Sequence, residues 1–195
     1  KNTPWFNSVF KGSKEVIISA KRKIEKREPL GFNILDVNIQ EVFSRLRTVT
    51  TDIKKIQKMI LIDGKLEDFV SEEIKKQISF IGPLPNPKIQ AETKAWVGYD
   101  ENNLYVCFYC EEPYISKMNI NKFNRDDDRI WMNDCVEVFI SNPYYYPYYH
   151  FIVSPSNAQW DGIKVLNNNE AEDKKWDGKW DSGVYIGDNF WTVEI

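Results

Sequence analysis

The stretch "TKAWVGYDENNLYVCFYCEE", residues 93–112, constrains the fold more than any other part of the chain. Two runs dense in Val, Tyr, Trp, Phe and Cys flank the polar break Glu101-Asn102-Asn103. Branched and aromatic residues suit pleated, half-buried backbone, and a short polar break between two such runs signals a hairpin. The pattern predicts strands over 93–100 and 104–112. Further strand patterns stand at "DCVEVFIS" (134–141), "YYHFIVSP" (148–155) and, after the turn "IGDN", at "FWTVEI" (190–195). Short strands with loop signals between them predict an all-β chain built as an antiparallel β-sandwich.

The start of the chain reads differently. Within 41–60, Val42, Leu46, Val49, Ile53, Ile56 and Ile60 recur at helical spacings, which predicts an amphipathic helix. The run "SKEVIISAKRKIEKRE" (13–28) fits a strand or a short helix equally, and "REPLGFN" (27–33) is a turn or linker. A partly helical N-terminal segment, residues 1–57, is therefore expected before a sandwich spanning 58–195, either as an appendage of the sandwich or as the end of a preceding domain in a larger protein. Three prolines make "IGPLPNPKIQ" (81–90) an irregular loop.

Composition excludes several functions. The net charge of −3 and the short, glutamate-interrupted run "KRKIEKR" (21–27) leave no basic footprint for nucleic acid. No apolar run reaches the roughly 20 residues of a membrane helix. Aromatic content is high at 14%, and Trp and Tyr supply the rigid, flat surface that cores and ring-binding platforms both use.

Catalytic constellations are missing from the pattern. Acyl-transfer chemistry of the Ser-His or Cys-His type needs a histidine, and the chain has one, His150, inside a strand pattern. One histidine and dispersed cysteines do not make a zinc site, and no glycine-rich phosphate loop is present. Cys107 and Cys110 have CxxC spacing, but on a strand residues i and i+3 point to opposite faces, so the two sulfurs cannot converge. A disulfide from Cys135 to either is compatible with the sequence. Asp134 and Glu137 fail as a glycosidase pair for the same reason of parity.

Strand periodicity sorts "WMNDCVEVFI" (131–140) into two rows. Met132, Val136, Val138 and Ile140 form an apolar set for the core. Trp131, Asn133, Cys135, Glu137 and Phe139 form the other face. A Trp beside an amide and a carboxylate suits a pyranose, whose C–H face stacks on an indole while its hydroxyls meet planar polar groups. The triplet Asp126, Asp127 and Asp128 is an oxygen-rich loop of the kind that can hold calcium, although it lacks EF-hand spacing. The loop "NPYYYPYYH" (142–150) carries five tyrosines and reads as a ligand rim or a packed loop. The tripeptide "WDG" occurs at 160–162 and 176–178, too short a recurrence to imply repeat architecture.

In order, "ILIDGKLEDF", the hairpin, "RIWMNDCVEVFIS", "YYHFIVSPSNAQWDG" and "DNFWTVEI" resemble the family 9 carbohydrate-binding modules and their wider relatives, over about residues 58–195. The resemblance implies a jelly-roll type β-sandwich. It also implies a non-catalytic, sugar-binding module of a secreted or cell-surface protein that acts on polysaccharide, covalently linked to other domains. It places one wall of an aromatic sandwich at Trp131 and a sugar-contacting or orienting carboxylate at Glu137, and calcium is a family feature. The family's second stacking Trp follows the Trp-x-Val-Glu strand, so the last strands are expected beyond Ile195. A basic residue of the sugar-binding members is Ile152 here.

The expected function is thus binding of an oligo- or polysaccharide outside the cell, without catalysis. Trp131 is the platform, Asn133 and Glu137 lie beside it, and Trp160 and Tyr149 form the rim. The alternatives are a haem-binding electron-transfer domain of the same sandwich type, with Met132 or Met118 and His150 as axial ligands, and a scaffold domain without ligand.

Overall fold

The computed structural model describes residues 15–21, 53–69, 78–79, 91–142, 145–164 and 175–195. The strands are β1 (Glu15–Lys21), β2 (Lys54–Lys55), β3 (Ile78–Ser79), β4 (Thr93–Tyr99), β5 (Leu104–Glu111), β6 (Cys135–Asn142), β7 (Tyr145–Val153), β8 (Gln159–Lys164), β9 (Gly183–Ile186) and β10 (Phe190–Glu194). They make two sheets. The smaller has the order β1-β6-β7-β8, and the larger β2-β4-β5-β10-β9, with β3 also on β4. All pairings are antiparallel except the two-residue β2–β4 contact. The chain is an all-β sandwich.

The hairpin that dominates the sequence is β4–β5. Its turn is locked by Asp100, whose Oδ1 accepts from the amides of Asn102 and Asn103, both at 2.7 Å. The Tyr105 hydroxyl donates to Asp100 Oδ2 at 2.7 Å. Burial, helped by that bond to a carboxylate, pushes the Tyr105 phenol up to about 12.

Alternation along the strands produces three separate interiors. Between the sheets lie Ala95, Val97, Val106, Phe108, Cys110, Trp191 and Val193 from the larger sheet, against Val136, Val138, Ile140, Phe151 and Val153 from the smaller. Outside the larger sheet, Trp96, Tyr105 and Cys107 are covered by Ile56, Ile60 and Phe69. Outside the smaller sheet, Cys135, Ile152 and Trp160 are covered by Ile130, Ala158 and Phe123. Cys107 and Cys110 thus sit on opposite faces of β5, as strand parity requires, and all three cysteines are free thiols, so no disulfide forms.

Several expectations are corrected. Residues 53–60, the described part of the expected 41–60 helix, are extended. Lys54–Lys55 pairs parallel with β4, and the Ile56 amide donates to the Tyr99 carbonyl at 2.7 Å. Ile56 and Ile60 bury against the outer face of the larger sheet, while Ile53 packs at the inter-sheet core, and helical spacing alone does not distinguish this from an amphipathic helix. Residues 41–52 and the proline loop 81–90 lie outside the described residues. The ambiguous run at 13–28 contains β1, which pairs with β6 from Glu15↔Ser141 to Lys21↔Cys135. Two stretches of the expected N-terminal segment therefore belong to the sandwich sheets. The tyrosine-rich stretch is a strand from Tyr145 onward rather than a loop.

The DG of "LIDG" is clamped by the end of β10. Glu194 is fully buried, and its Oε2 accepts from the amides of Asp63 (3.0 Å) and Gly64 (2.9 Å). Thr192 Oγ1 donates to the Gly64 carbonyl at 2.5 Å. Gly64 has φ +84°, and a Cβ there would lie 2.4 Å from the Val184 carbonyl carbon. Burial is the main cause that lifts the Glu194 carboxyl to about 7, since its Oε1 finds no partner among the described residues. The "IDG" and "WTVE" patterns are thus two halves of one clamp.

Candidate functional site

Trp131 stands on a 3-10 turn, Ile130–Met132, immediately before β6. The turn is fixed from below and from both ends. Ile130 is fully buried beneath it. The amides of Ile130, Met132 and Asn133 donate to the carbonyls of Asp127, Arg129 and Ile130 at 3.0–3.1 Å. The Arg129 guanidinium forks onto Asp127, with Nε to Oδ1 at 2.8 Å and Nη2 to Oδ2 at 2.6 Å. That fork, with the Arg129 amide, holds the Asp127 carboxyl down at about 2. The indole is 48% exposed on this fixed base.

Beside the turn is a polar group the sequence did not assemble. Asn119 Nδ2 donates to Asn133 Oδ1, and the Asn119 amide donates to Asp134 Oδ2 at 3.2 Å. Asn133 and Asp134 are both buried. Asn133 Nδ2 is enclosed without a partner among the described residues. An unsatisfied buried amide donor costs about 1–3 kcal/mol, so this asparagine is held there at a cost.

The other expected site residues lie elsewhere. Glu137 is turned along the outer face of the smaller sheet: its Oε2 is 3.0 Å from His150 Nε2, and Cys135 Sγ lies 3.9 Å from its Oε1. His150 is buried, stacked on Phe139 at 4.0 Å and met edge-on by Trp160. Trp160 is buried and forms no rim. Tyr149 points the other way, against Trp176 beside the inter-sheet core. Ile152, at the position of the family's basic residue, is buried beside Trp160. Period two runs four residues too far at the N-terminus of β6, which begins at Cys135: Met132 belongs to the turn and is 52% exposed, not core.

Met118 packs against the inter-sheet core, while His150 faces outward from β7 with Nε2 held by Glu137. Met118 and His150, two of the candidates for haem ligation, are thus on different faces of the smaller sheet, and Met132 is exposed on the turn before β6.

Two of the three aspartates of the triplet are engaged by arginines. Asp127 holds Arg129, and Asp126 Oδ2 lies 3.6 Å from Arg125 Nε. Among the described residues no three His, Cys, Asp or Glu side chains converge as a cation cage. The triplet does not fit calcium.

Sequence reasoning also missed the meaning of the repeated "WDG". In each copy the indole folds back over the glycine two residues on. A Cβ on Gly162 would lie 2.8 Å from Trp160 Cη2, and one on Gly178 2.7 Å from Trp176 Cη2. The two copies are joined, because Asp161 Oδ2 accepts from the Gly178 amide at 2.7 Å. Among the described residues no helix is long and apolar enough to cross a membrane. No family model matches this chain, and neither the curated proteins nor the solved structures yield a match.

Proposed function

We propose that this chain is a non-catalytic carbohydrate-binding module, similar to the family 9 modules, that stacks a sugar ring on Trp131. One observation carries the reading. Of the described tryptophans, Trp96, Trp160 and Trp191 are buried, Trp176 and Trp180 are half-buried against the core, and Trp131 alone is exposed. A large indole held half in water on a fixed turn is the arrangement that ring stacking uses. The Asn119–Asn133–Asp134 group beside it supplies planar amide and carboxylate atoms to hold the turn and the rim. Glu137, paired with His150, has no part in the contact. The location of such a module is extracellular or at the cell surface, attached to a polysaccharide-acting protein.

Calorimetric titration across soluble oligosaccharides tests this. A binder should emerge, and Trp131→Ala should weaken it by roughly 5- to 100-fold, equivalent to about 1–3 kcal/mol of lost stacking. Its unfolding free energy should stay within about 1 kcal/mol of the parent, because the ring is half exposed on a surface turn. Heat from no sugar at all, or binding indifferent to Trp131, would defeat the proposal and favour a scaffold domain without ligand.

A further inference from the structure

Residues 56–69 lie as a strap across the outer face of the larger sheet, with Ile56, Ile60 and Phe69 packed onto Trp96, Tyr105 and Cys107. The strap is fastened at two places. At its start, the Lys54–Lys55 pairing with β4 is two residues long, and the Lys55 Nζ–Glu101 Oε1 contact at 2.7 Å is open to water. An exposed ion pair of this kind holds weakly. Farther along, the Asp63 and Gly64 amides donate to Glu194, and the Gly64 carbonyl accepts from Thr192, both on β10.

That second fastening is a carboxyl group short of donors. Glu194 Oε2 serves both amides, while Oε1 is enclosed and has no partner among the described residues. The groups that face it are acidic or neutral. Asp63 and Asp68 approach from the strap and strengthen its hold on a proton. Cys107 stands opposite on β5 and Gly183 opposite on β9. Burial and the neighbouring Glu194 both push the Cys107 thiol up. Lys65 is turned to Asp63, with Nζ 4.0 Å from Oδ2, and both groups are in contact with water.

A neutral carboxyl fits this place better than a carboxylate, because an enclosed anion with a bare oxygen carries a large desolvation penalty. Hydration of Oε1 would relieve it, and water needs a way in. β10 is held on both sides by β5 and β9, so it does not step aside. The strap is the wall with weak fastenings.

We propose that Glu194 is the latch of a pH-sensitive strap: residues 56–69 stay seated while the latch keeps its proton and lift from β5 and β10 when the proton is lost to water. Lifting hydrates Oε1, separates Glu194 from Asp63 and Asp68, and uncovers Trp96, Tyr105 and Cys107. The inter-sheet core lies on the other face of the sheet and stays closed, so the opening is local. The inference does not depend on the sugar-binding reading.

Amide hydrogen exchange on the full chain tests this, with each rate divided by the intrinsic rate at the same pH. Burial lifts the seated carboxyl to about 7, against 4.5 when hydrated, so opening should be on the order of 10- to 30-fold more frequent at about pH 8.5 than at about pH 5.5. Protection of the Asp63 and Gly64 amides should fall by that factor and level off above about pH 8. The fall should be the same in about 1 M urea, because a local opening exposes little surface, whereas protection in the β5–β10 ladder should drop with urea. Glu194→Gln keeps an acceptor for the amides and cannot ionise, so its protection there should be flat across the range. If that variant does not fold, Asp68→Asn removes one facing charge and should move the parent's transition to lower pH. Protection at Asp63 and Gly64 that ignores pH in the parent overturns the proposal. So does a fall with the urea dependence of the ladder, since the whole sandwich would then be opening, or a Glu194→Gln protein that keeps the parent's pH dependence.

Discussion

Among the described residues two carboxylates are fully buried, Asp161 and Glu194, and they are satisfied in opposite ways. Asp161, under the smaller sheet's β8, is given an arginine, an indole N–H and a backbone amide, so both of its oxygens have donors. Glu194, on the outer face of the larger sheet, is given two backbone amides on one oxygen and, among the described residues, no donor on the other. Burial pushes both above the ordinary carboxylate value, and for Asp161 the Gly178 amide, the Trp180 indole and Arg125 oppose it. For Glu194 only the Gly64 and Asp63 amides oppose burial, and nearby Asp63 and Asp68 add to the rise, which takes it to about 7. A buried acid can be held as an anion by a cation or as a neutral group by scarcity of donors. One fold contains both solutions.

The comparison is broken most severely at Asp161. Asp161→Ala strands the guanidinium, the indole N–H and the Gly178 amide together, and should cost about 3–5 kcal/mol in chemical denaturation. Gly64→Ala, at the other carboxylate, places a methyl against Val184 at a positive φ. It should cost about 3 kcal/mol by the same measurement, with the 53–69 cover opening first in hydrogen exchange. The pH arm is next in size. Glu194 binds its proton more tightly folded than unfolded, so the folded state carries more proton between about 4.5 and about 7. Stability should therefore fall as pH rises through that window, by on the order of 2–3 kcal/mol, and level off above it. Glu194→Gln keeps an acceptor for the two amides and removes the ionisation. It should match the parent near pH 4.5, exceed it at pH 8, and flatten most of the slope. A parent more stable at pH 8 than at pH 5 would refute a neutral Glu194. Smallest is Asp177→Asn: that carboxylate is 75% exposed, so its loss should shift stability by less than about 1 kcal/mol even though it touches the same guanidinium.

Much of the fold was legible because it rests on alternation. β4, β5, β6, β7 and β10 carry dense branched and aromatic runs, and the opposite-face placement of Cys107 and Cys110 follows from parity alone. β8 and β9 escaped notice because "QWDGIK" and "GVYI" are short and glycine-bearing, with their strand character supplied by neighbours. The extended cover at 53–60 was read as helix because isoleucines at spacings of three and four fit both a helix stripe and a strip laid on a sheet. At the candidate site, the position and exposure of Trp131 were approachable, but its partners were not. Asn119 lies fourteen residues from Asn133, and Glu137 meets His150 diagonally across two strands. Such meetings depend on register and on loop return, which no local pattern encodes. The "WDG" pair shows the limit in the other direction: a recurrence too short to imply repeat architecture marks two indole-over-glycine folds joined by one hydrogen bond.

The cysteines give this molecule a set of internal gauges. Cys110 lies between the sheets, Cys107 beneath the 53–69 cover, and Cys135 beneath the 119–130 connection, one thiol in each of the three interiors. Each is sealed from reagent in the native state, so the rate at which it is alkylated measures how often its own compartment opens. Followed residue by residue in a mass spectrometer, the native chain would report three opening free energies at once, with no label introduced. The order in which the thiols surrender would show whether the sandwich comes apart as one body or sheds its two covers first.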